Sequence, residues 1–232
     1  MRVVLFDTFG TVVDWRSGLL ETAHRLERHR GVHADWAALA DAWRAEYMPS
    51  MDRVRRGELP WTALDDLHRA SLPGVVDKLA IEGLTDEDLA ELTLGWHHLP
   101  PWPDAVAGLE SLKRRYIIGP LSNGDVAMLT DIAKHAGLPW DLVIGADLFR
   151  HYKPDPEIYL GACSLLRRAP EEVLLCAAHN EDLVHARAAG LRTAFVRRPT
   201  EHGPDQRIDL HPEQDWDLTA DSITELAALL GC

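Results

Sequence analysis

The stretch Val3-Val4-Leu5-Phe6-Asp7-Thr8-Phe9-Gly10-Thr11 decides the fold class, because four apolar residues run directly into a carboxylate and a glycine turn. The apolar run is too short for a helix and rich in strand formers, so it predicts a buried strand. A carboxylate at the end of such a strand lies at the rim of the sheet, where Asp7 can act as a nucleophile. A turn-forming Asp is the competing interpretation of this residue taken alone.

Similar short apolar runs recur along the chain, and helical patterns separate them. The predicted strands cover residues 116–118, 142–144, 173–176 and 193–196, and the intervening helices cover 126–136, 156–166 and 183–189. Near-continuous apolar strands that alternate with helices indicate an α/β fold with a doubly wound parallel sheet, a Rossmann-like core. In such sheets ligands bind at the carboxyl ends of the strands, so the residues that follow each strand matter most.

One segment interrupts this alternation. Residues 15–98 contain no convincing strand, and helices are predicted over 19–29, 36–47, 61–71 and 86–96, punctuated by glycine and proline. The chain returns through Pro100-Pro101-Trp102-Pro103, a stiff hinge. We therefore expect a core domain of residues 1–14 and 99–232 and an inserted helical cap domain of residues 15–98.

Composition limits the classes of partner. The 232 residues carry a formal net charge of −13, which argues against nucleic acid as the partner but leaves room for a small anion beside a few local cations. Three cysteines without a CxxC spacing predict neither a disulfide framework nor a zinc site. Neither a signal sequence nor a membrane span is predicted, so the expected location is the cytoplasm.

Three further polar motifs follow predicted strands. Ser122-Asn123-Gly124 can bind an anion, and Lys153, before a helix that starts at Pro156 with Asp155 as its cap, can point at Asp7. The third motif is the cluster Ala177-Ala178-His179-Asn180-Glu181-Asp182. Taken singly, each is more commonly a turn, a solvated loop or a helix start. Their common position after parallel strands predicts that they meet at one rim.

With these motifs in this order, the whole chain resembles the haloacid dehalogenase superfamily. Phosphatases of that superfamily carry a second Asp two residues after the nucleophile, where this chain has Phe9, and a further metal-binding Asp where it has Ala178 or His179. The hard oxygen ligands that Mg²⁺ prefers are therefore missing. The resemblance implies a reaction without metal or other cofactor.

Within the superfamily, the chain is most similar to the type II 2-haloacid dehalogenases. The nucleophile motif matches at Asp7, Gly10, Thr11 and Asp14, and the cap matches at Trp43-Arg44. The remaining matches follow the later strands and are Ser122, Asn123, Gly124, Lys153, Tyr159 and Asp182.

This resemblance implies hydrolytic dehalogenation of short 2-haloalkanoic acids to 2-hydroxy acids through an aspartyl ester. The implied catalytic residues are Asp7, Lys153, Asp182, Arg44, Thr11 and His179, with Arg44 receiving the halide and Asp182 or His179 orienting the water. The residues assigned to substrate binding are Ser122, Asn123, Gly124, Phe9, Thr8, Tyr159, Trp61 and Asn180, with Trp61 as an apolar wall around the halide. The implied partners are the haloacid and the released halide, and a homodimer is possible.

Two departures affect the substrate range. The fourth strand of the best-known members ends in Ser-Ser-Asn, whereas this chain has Ala177-Ala178-His179. The bulkier ring is expected to shrink the pocket and favour a small haloacetate. Two alternatives stay open: a Mg²⁺-dependent phosphatase acting on a small phosphomonoester, and a non-catalytic binding protein on the same fold.

Overall fold

The computed structural model describes residues 2–232, which form one parallel sheet flanked by helices. The strands are β1 (Val3–Phe6), β2 (Ile117–Ser122), β3 (Ile144–Gly145), β4 (Val173–Ala177), β5 (Arg192–Val196) and β6 (Leu218–Ala220). Their order in the sheet is β3-β2-β1-β4-β5-β6, and every pair is parallel. The predicted α/β fold with a Rossmann-like core is confirmed.

Strand β1 lies in the middle of the sheet and is buried along its whole length. Its last residue, Phe6, pairs with Pro120 of β2 and Cys176 of β4. The residues that follow β1, β2 and β4 therefore leave the sheet at the same edge, which places Asp7, Asn123 and His179 near one another.

Three strand predictions needed correction, and the first is the strand predicted over 142–144, which is only Ile144–Gly145 as β3. Strand β2 continues to Ser122, whereas the predicted strand ended at residue 118. The second half was not predicted because Gly119 and Pro120 are both unfavourable in a strand interior. Strand β6 was missed, because three residues are too few to show an alternating pattern.

Helices fill the segment between β1 and the hinge. They are α1 (Trp15–Arg30), α2 (Trp36–Ala45), α3 (Tyr47–Arg55), α4 (Leu64–Lys78) and α5 (Asp86–Leu94). Asp14 and Asp35 cap α1 and α2 through their side chains, and a Thr85 capping box starts α5. Helix α3 was missed because Pro49 resembles a break, but a proline is tolerated in a first turn. Helix α4 continues through Pro73, because buried Val75 and Val76 hold its last turn.

The two ends of this helical segment lie side by side. The Asp14 N–H donates to Pro100 O at 2.9 Å, and the Trp102 N–H donates to Val12 O at 3.0 Å. The Trp102 indole also donates to Gly10 O at 2.8 Å, so the proline-rich hinge is fixed to the nucleophile loop. One hydrophobic cluster includes residues from both parts, and the division at 14/15 and 98/99 stays a prediction.

The remaining helices are α6 (Ala105–Lys113), α7 (Val126–Ala136), α8 (Pro156–Leu165), α9 (Asn180–Ala188) and α10 (Ile223–Leu229). Pro156 is in the first turn of α8, as predicted, but Asp155 makes no capping hydrogen bond. Its carboxylate instead accepts from Arg55 Nε at 2.8 Å and contacts His151 Nδ1 at 3.3 Å. No helix within residues 2–232 is long and apolar enough to cross a membrane.

Candidate active site

Asp7 lies at the carboxyl end of β1 with both carboxylate oxygens engaged. Oδ2 accepts from the Thr11 hydroxyl at 2.8 Å and is 3.2 Å from His179 Nδ1, while Oδ1 accepts from Lys153 Nζ at 3.3 Å. The Thr11 hydroxyl in turn accepts from the Ala178 N–H at 2.9 Å, which ties the nucleophile loop to the end of β4. The carboxylate is thus fixed from three sides.

Lys153 occupies the position that the sequence predicted, against Asp7. Its ammonium is 2.6 Å from Asp182 Oδ2, and Asp182 Oδ1 accepts from the Tyr159 hydroxyl at 2.7 Å. Burial by itself lowers the pKa of Lys153, but Asp182 and Asp7 outweigh that effect and raise it. Lys153 is therefore a permanent cation beside the nucleophile.

The charge state of Asp7 follows from the same contacts. Burial favours the neutral acid and raises its pKa, but the Lys153 ammonium, His179 and the Thr11 hydroxyl reverse this and hold the pKa of Asp7 well below its ordinary value. Asp7 is consequently a carboxylate at neutral pH, which is the form that a nucleophile requires.

His179 connects Asp7 to a residue that sequence reasoning missed. Its Nε2 is 2.9 Å from Glu201 Oε2 and 3.1 Å from Oε1, and Glu201 Oε1 also accepts from the Trp15 indole at 3.0 Å. Burial alone lowers the pKa of His179, but Glu201 and Asp7 on either side raise it well above its ordinary value. The raised pKa favours the imidazolium form of His179 in the resting enzyme, which supports a donor role more than the predicted base role; its catalytic assignment stays a prediction.

Glu201 reaches the site through a loop that has no sequence signal. Arg198 holds that loop: its Nε donates to Thr11 O at 2.9 Å, and its guanidinium forms two bonds to Asp104, at 2.8 and 3.0 Å. Such a bidentate pair fixes orientation as well as distance. Only the tertiary structure brings residues 198–201 to the nucleophile loop, so a linear pattern could not identify them.

Arg44, in the last turn of α2, contributes a further cation. Its guanidinium carbon lies 4.0 Å from the ring centre of Tyr47 and 5.3 Å from that of Trp15. The Nη1 group is buried and has no hydrogen-bond partner within residues 2–232. A buried guanidinium N–H without an acceptor is costly, so this donor is suited to an anion that arrives with the substrate.

A cavity of about 530 Å³ opens onto these groups. The predicted site residues on its wall are Asp7, Phe9, Arg44, Asn123, Lys153, Tyr159, His179 and Asp182, and Trp15, Tyr47 and His202 join them. The Asn123 Oδ1 accepts from the Lys153 N–H at 2.7 Å, which leaves its amide N–H groups as donors.

Several predicted site residues lie outside this wall. Ser122 and Gly124 form the turn behind Asn123, where the Gly124 N–H donates to Ser122 Oγ at 3.2 Å. Thr8 and Thr11 are buried beneath Asp7. These residues shape the site from behind and do not face the cavity.

Two substrate-binding assignments need correction on geometric grounds. The Asn180 amide is occupied by protein partners, since Nδ2 donates to Asp209 Oδ1 and His211 O and Oδ1 accepts from Glu213 N and Trp216 Nε1. Trp61 packs against Tyr152, 4.8 Å between ring centres, and does not line the cavity. The aromatic part of the apolar wall includes Phe9, Trp15 and Tyr47 instead.

A divalent cation does not fit among these groups. The Lys153 ammonium and the His179 ring occupy the two oxygens of Asp7, and Asp182 is committed to Lys153 and Tyr159. Phe9, where phosphatases carry their second acid, offers only a carbonyl oxygen. Mg²⁺ needs several hard oxygens in an octahedron, whereas two cationic side chains face the carboxylate here.

Comparison with known proteins agrees with this geometry. The family model for haloacid dehalogenase-like hydrolases matches residues 1–175. The chain is 29% identical to (S)-2-haloacid dehalogenase 4A of Burkholderia cepacia, over 98% of both chains. The fold is shared by the crystal structure of an L-2-haloacid dehalogenase, with 53% identity, a TM-score of 0.96 and coverage of 100% of this chain and 99% of that one. It is also shared by that of a defluorinating L-2-haloacid dehalogenase, with 50% identity, a TM-score of 0.97 and coverage of 100% of this chain and 96% of that one. The chain belongs to the haloacid dehalogenase-like hydrolase family.

Proposed function

We propose that this protein hydrolyses the carbon–halogen bond of short 2-haloalkanoates, such as haloacetates and 2-halopropionates, and releases 2-hydroxy acids. One observation carries the proposal: an ionised, fixed carboxylate, Asp7, and the half-buried Arg44, whose buried Nη1 has no acceptor among residues 2–232, face the same cavity. A nucleophile opposite a halide acceptor is the arrangement that displacement of a halide requires.

In the first step, an oxygen of Asp7 attacks the halogen-bearing carbon from the side opposite the halogen. The C–X bond breaks as the C–O bond forms, and the halide leaves towards Arg44. The amide N–H groups of Asn123 hold the substrate carboxylate. Lys153 offsets the repulsion between the two anions, because its cation lies 3.3 Å from Asp7 Oδ1.

In the second step, water attacks the carboxyl carbon of Asp7 and releases the hydroxy acid. Isotope labelling tests this step. With enzyme in excess over substrate in H₂¹⁸O, the label enters Asp7 and the product hydroxyl stays unlabelled. Direct attack of water on the C–X bond would place the label in the product and leave the peptide that contains Asp7 at its original mass.

The position of His179 supports a preference for small substrates. Its ring stands beside Asp7 on the cavity wall, where it limits the space around the attacked carbon. We propose that haloacetates fit this space better than longer haloacids do. Equal relative rates for the two substrate classes in wild type and His179→Asn would contradict that preference.

The decisive experiment measures halide release from chloroacetate, 2-chloropropionate and fluoroacetate with EDTA present. We expect release that EDTA does not reduce and that Asp7→Asn abolishes. Glu213→Gln, which changes an exposed carboxylate, is the matched control. Mg²⁺-dependent cleavage of a phosphomonoester without halide release would replace the proposal with the phosphatase alternative. Absence of both activities would favour the non-catalytic binding protein.

A further inference from the structure

The two oxygens of Asp7 are not equivalent. Oδ2 already accepts from the Thr11 hydroxyl and faces His179 Nδ1, whereas Lys153 is the only side-chain donor to Oδ1 in the described part of the chain. Oδ1 therefore keeps the free lone pair that attacks the substrate. When it forms the ester bond, Oδ2 becomes the carbonyl oxygen of the ester, with the Thr11 O–H and the His179 Nδ1–H as its two donors.

This geometry matters when the ester is hydrolysed. Water attacks the Asp7 carboxyl carbon, and negative charge develops on Oδ2. The C–Oδ1 bond then breaks, the hydroxy acid leaves with a proton, and the second proton of the water goes to solvent. Two donors fixed at hydrogen-bond distance from the developing oxyanion stabilise that transition state, and a cationic donor does so more strongly than a neutral one.

The ester also removes one of the two anions that keep His179 protonated. In the resting enzyme, Asp7 and Glu201 lie on opposite sides of the ring. Once Asp7 is esterified its charge is lost, and Glu201 is the anion left in direct contact with His179. Glu201 is 1% exposed, so solvent screens its charge little.

We propose that Glu201 is a positioning residue that keeps His179 an imidazolium throughout the reaction, so that its Nδ1–H and the Thr11 hydroxyl form an oxyanion hole on Asp7 Oδ2. This inference rests on the proposed function. The other ionisable groups around the pair are His202, 3.6 Å from Glu201, and the more distant Arg44, Lys153, Asp182 and Asp209. Arg44 and Lys153 disfavour the imidazolium, so the carboxylate of Glu201 has to outweigh them.

The first test measures the protonation of His179 directly. NMR titration follows the ring carbon signals, and His179→Asn identifies the signal among the 12 histidines. We expect Glu201→Gln to lower the pKa of His179 by roughly 1–3 units, while Glu213→Gln leaves it unchanged. An unchanged pKa in Glu201→Gln would overturn the proposal, whether or not the protein releases halide.

A second variant tests the proposal even if Glu201→Gln fails to fold. Asp7→Asn imitates the neutral ester, because it removes the charge of Asp7 and keeps its shape. We expect the pKa of His179 in this variant to stay above its ordinary value of about 6.5, held there by Glu201. A fall to that value or below would show that Glu201 alone does not retain the proton.

The third test separates the two chemical steps. During turnover of 2-chloropropionate, intact-mass measurement gives the fraction of enzyme held as the ester. Slower hydrolysis in Glu201→Gln is expected to raise this fraction several-fold over wild type, most at alkaline pH, where the imidazolium is lost first. A merely structural role would slow both steps, and an ester fraction equal to or below that of wild type would contradict the proposal.

Discussion

At the scale of single residues, Gly10 decides how closely Glu201 approaches the nucleophile loop. Its φ is +82°, and a Cβ built on it would lie 2.0 Å from Glu201 Oε1. Any side chain would therefore displace the carboxylate as well as strain the backbone. The Gly-Thr pair of the motif thus has two functions, since Gly10 admits Glu201 and the Thr11 hydroxyl binds Asp7.

Arg44 is the residue whose predicted function is easiest to isolate. Arg44→Lys keeps the charge but loses the planar donor group that stacks on Tyr47. We expect kcat for 2-chloropropionate to fall by about 10–100-fold, because removal of one positioned donor at a developing anion costs about this much or more. The loss for 2-bromopropionate should be smaller, since bromide is the better leaving group.

The comparison that checks this prediction is the ratio of the two rates in each variant. Arg53→Lys is the control, because Arg53 is on the neighbouring helix α3, is exposed and does not line the cavity. Equal losses for chloride and bromide would indicate that Arg44 supports the cap packing and does not receive the halide.

At the scale of elements, the sequence predicted best where a strand runs into a polar motif. The ends of β1 and β4 and the start of α7 were predicted to within a residue, because the apolar runs stop near these points and polar or ionisable residues follow. Asp7, Lys153, Asp182 and His179 meet as a result. Glu201, Trp15 and Tyr47 could not be predicted, since loop geometry and helix packing place them and no local pattern records either.

His97 links the inserted helices to the sheet domain. Its Nδ1 is 2.8 Å from Asp131 Oδ2 on α7, and its Nε2 is 3.3 Å from Asp65 Oδ1 on α4. The contact with Asp65 raises the pKa of His97, burial opposes this, and the contact with Asp131 raises it further. The other ionisable neighbours are Arg69, which pairs with Asp65, and His68 and His98.

Because the pKa of His97 is higher in the folded protein than in the unfolded chain, its protonation stabilises the fold. This contribution is complete below the pKa of the unfolded chain, about 6.5, and is lost as the pH rises through the pKa of the folded protein. His97→Gln should therefore lower the Tm by about 2–4 °C at pH 6, roughly 1 kcal/mol for a pair that solvent partly screens. At pH 9 the difference from wild type should largely disappear. Thermal unfolding at both pH values checks this, with the exposed His24→Gln as the control. A Tm difference that is the same at both pH values would show that His97 acts through packing alone.

At the scale of the whole molecule, the site depends on the integrity of the sheet. The Asp7 N–H donates to Cys176 O at 3.0 Å, so the nucleophile is hydrogen-bonded to a fully buried residue of β4. Burial raises the pKa of the Cys176 thiol well above its ordinary value, which makes it inert while the sheet is closed. Separation of β1 from β4 would expose this thiol and disrupt the active site at the same time.

A variant with Cys176 as its single cysteine, Cys163→Ala/Cys232→Ser, tests this dependence. Because one hydrophobic cluster extends through the sheet and the inserted helices, we expect both to unfold in one transition. Thiol labelling of Cys176 and loss of halide release should then rise at the same urea concentration. Activity lost at lower urea, with Cys176 still protected, would show that the helical insertion opens first, because Arg44 would leave the cavity while Asp7 stayed on an intact sheet.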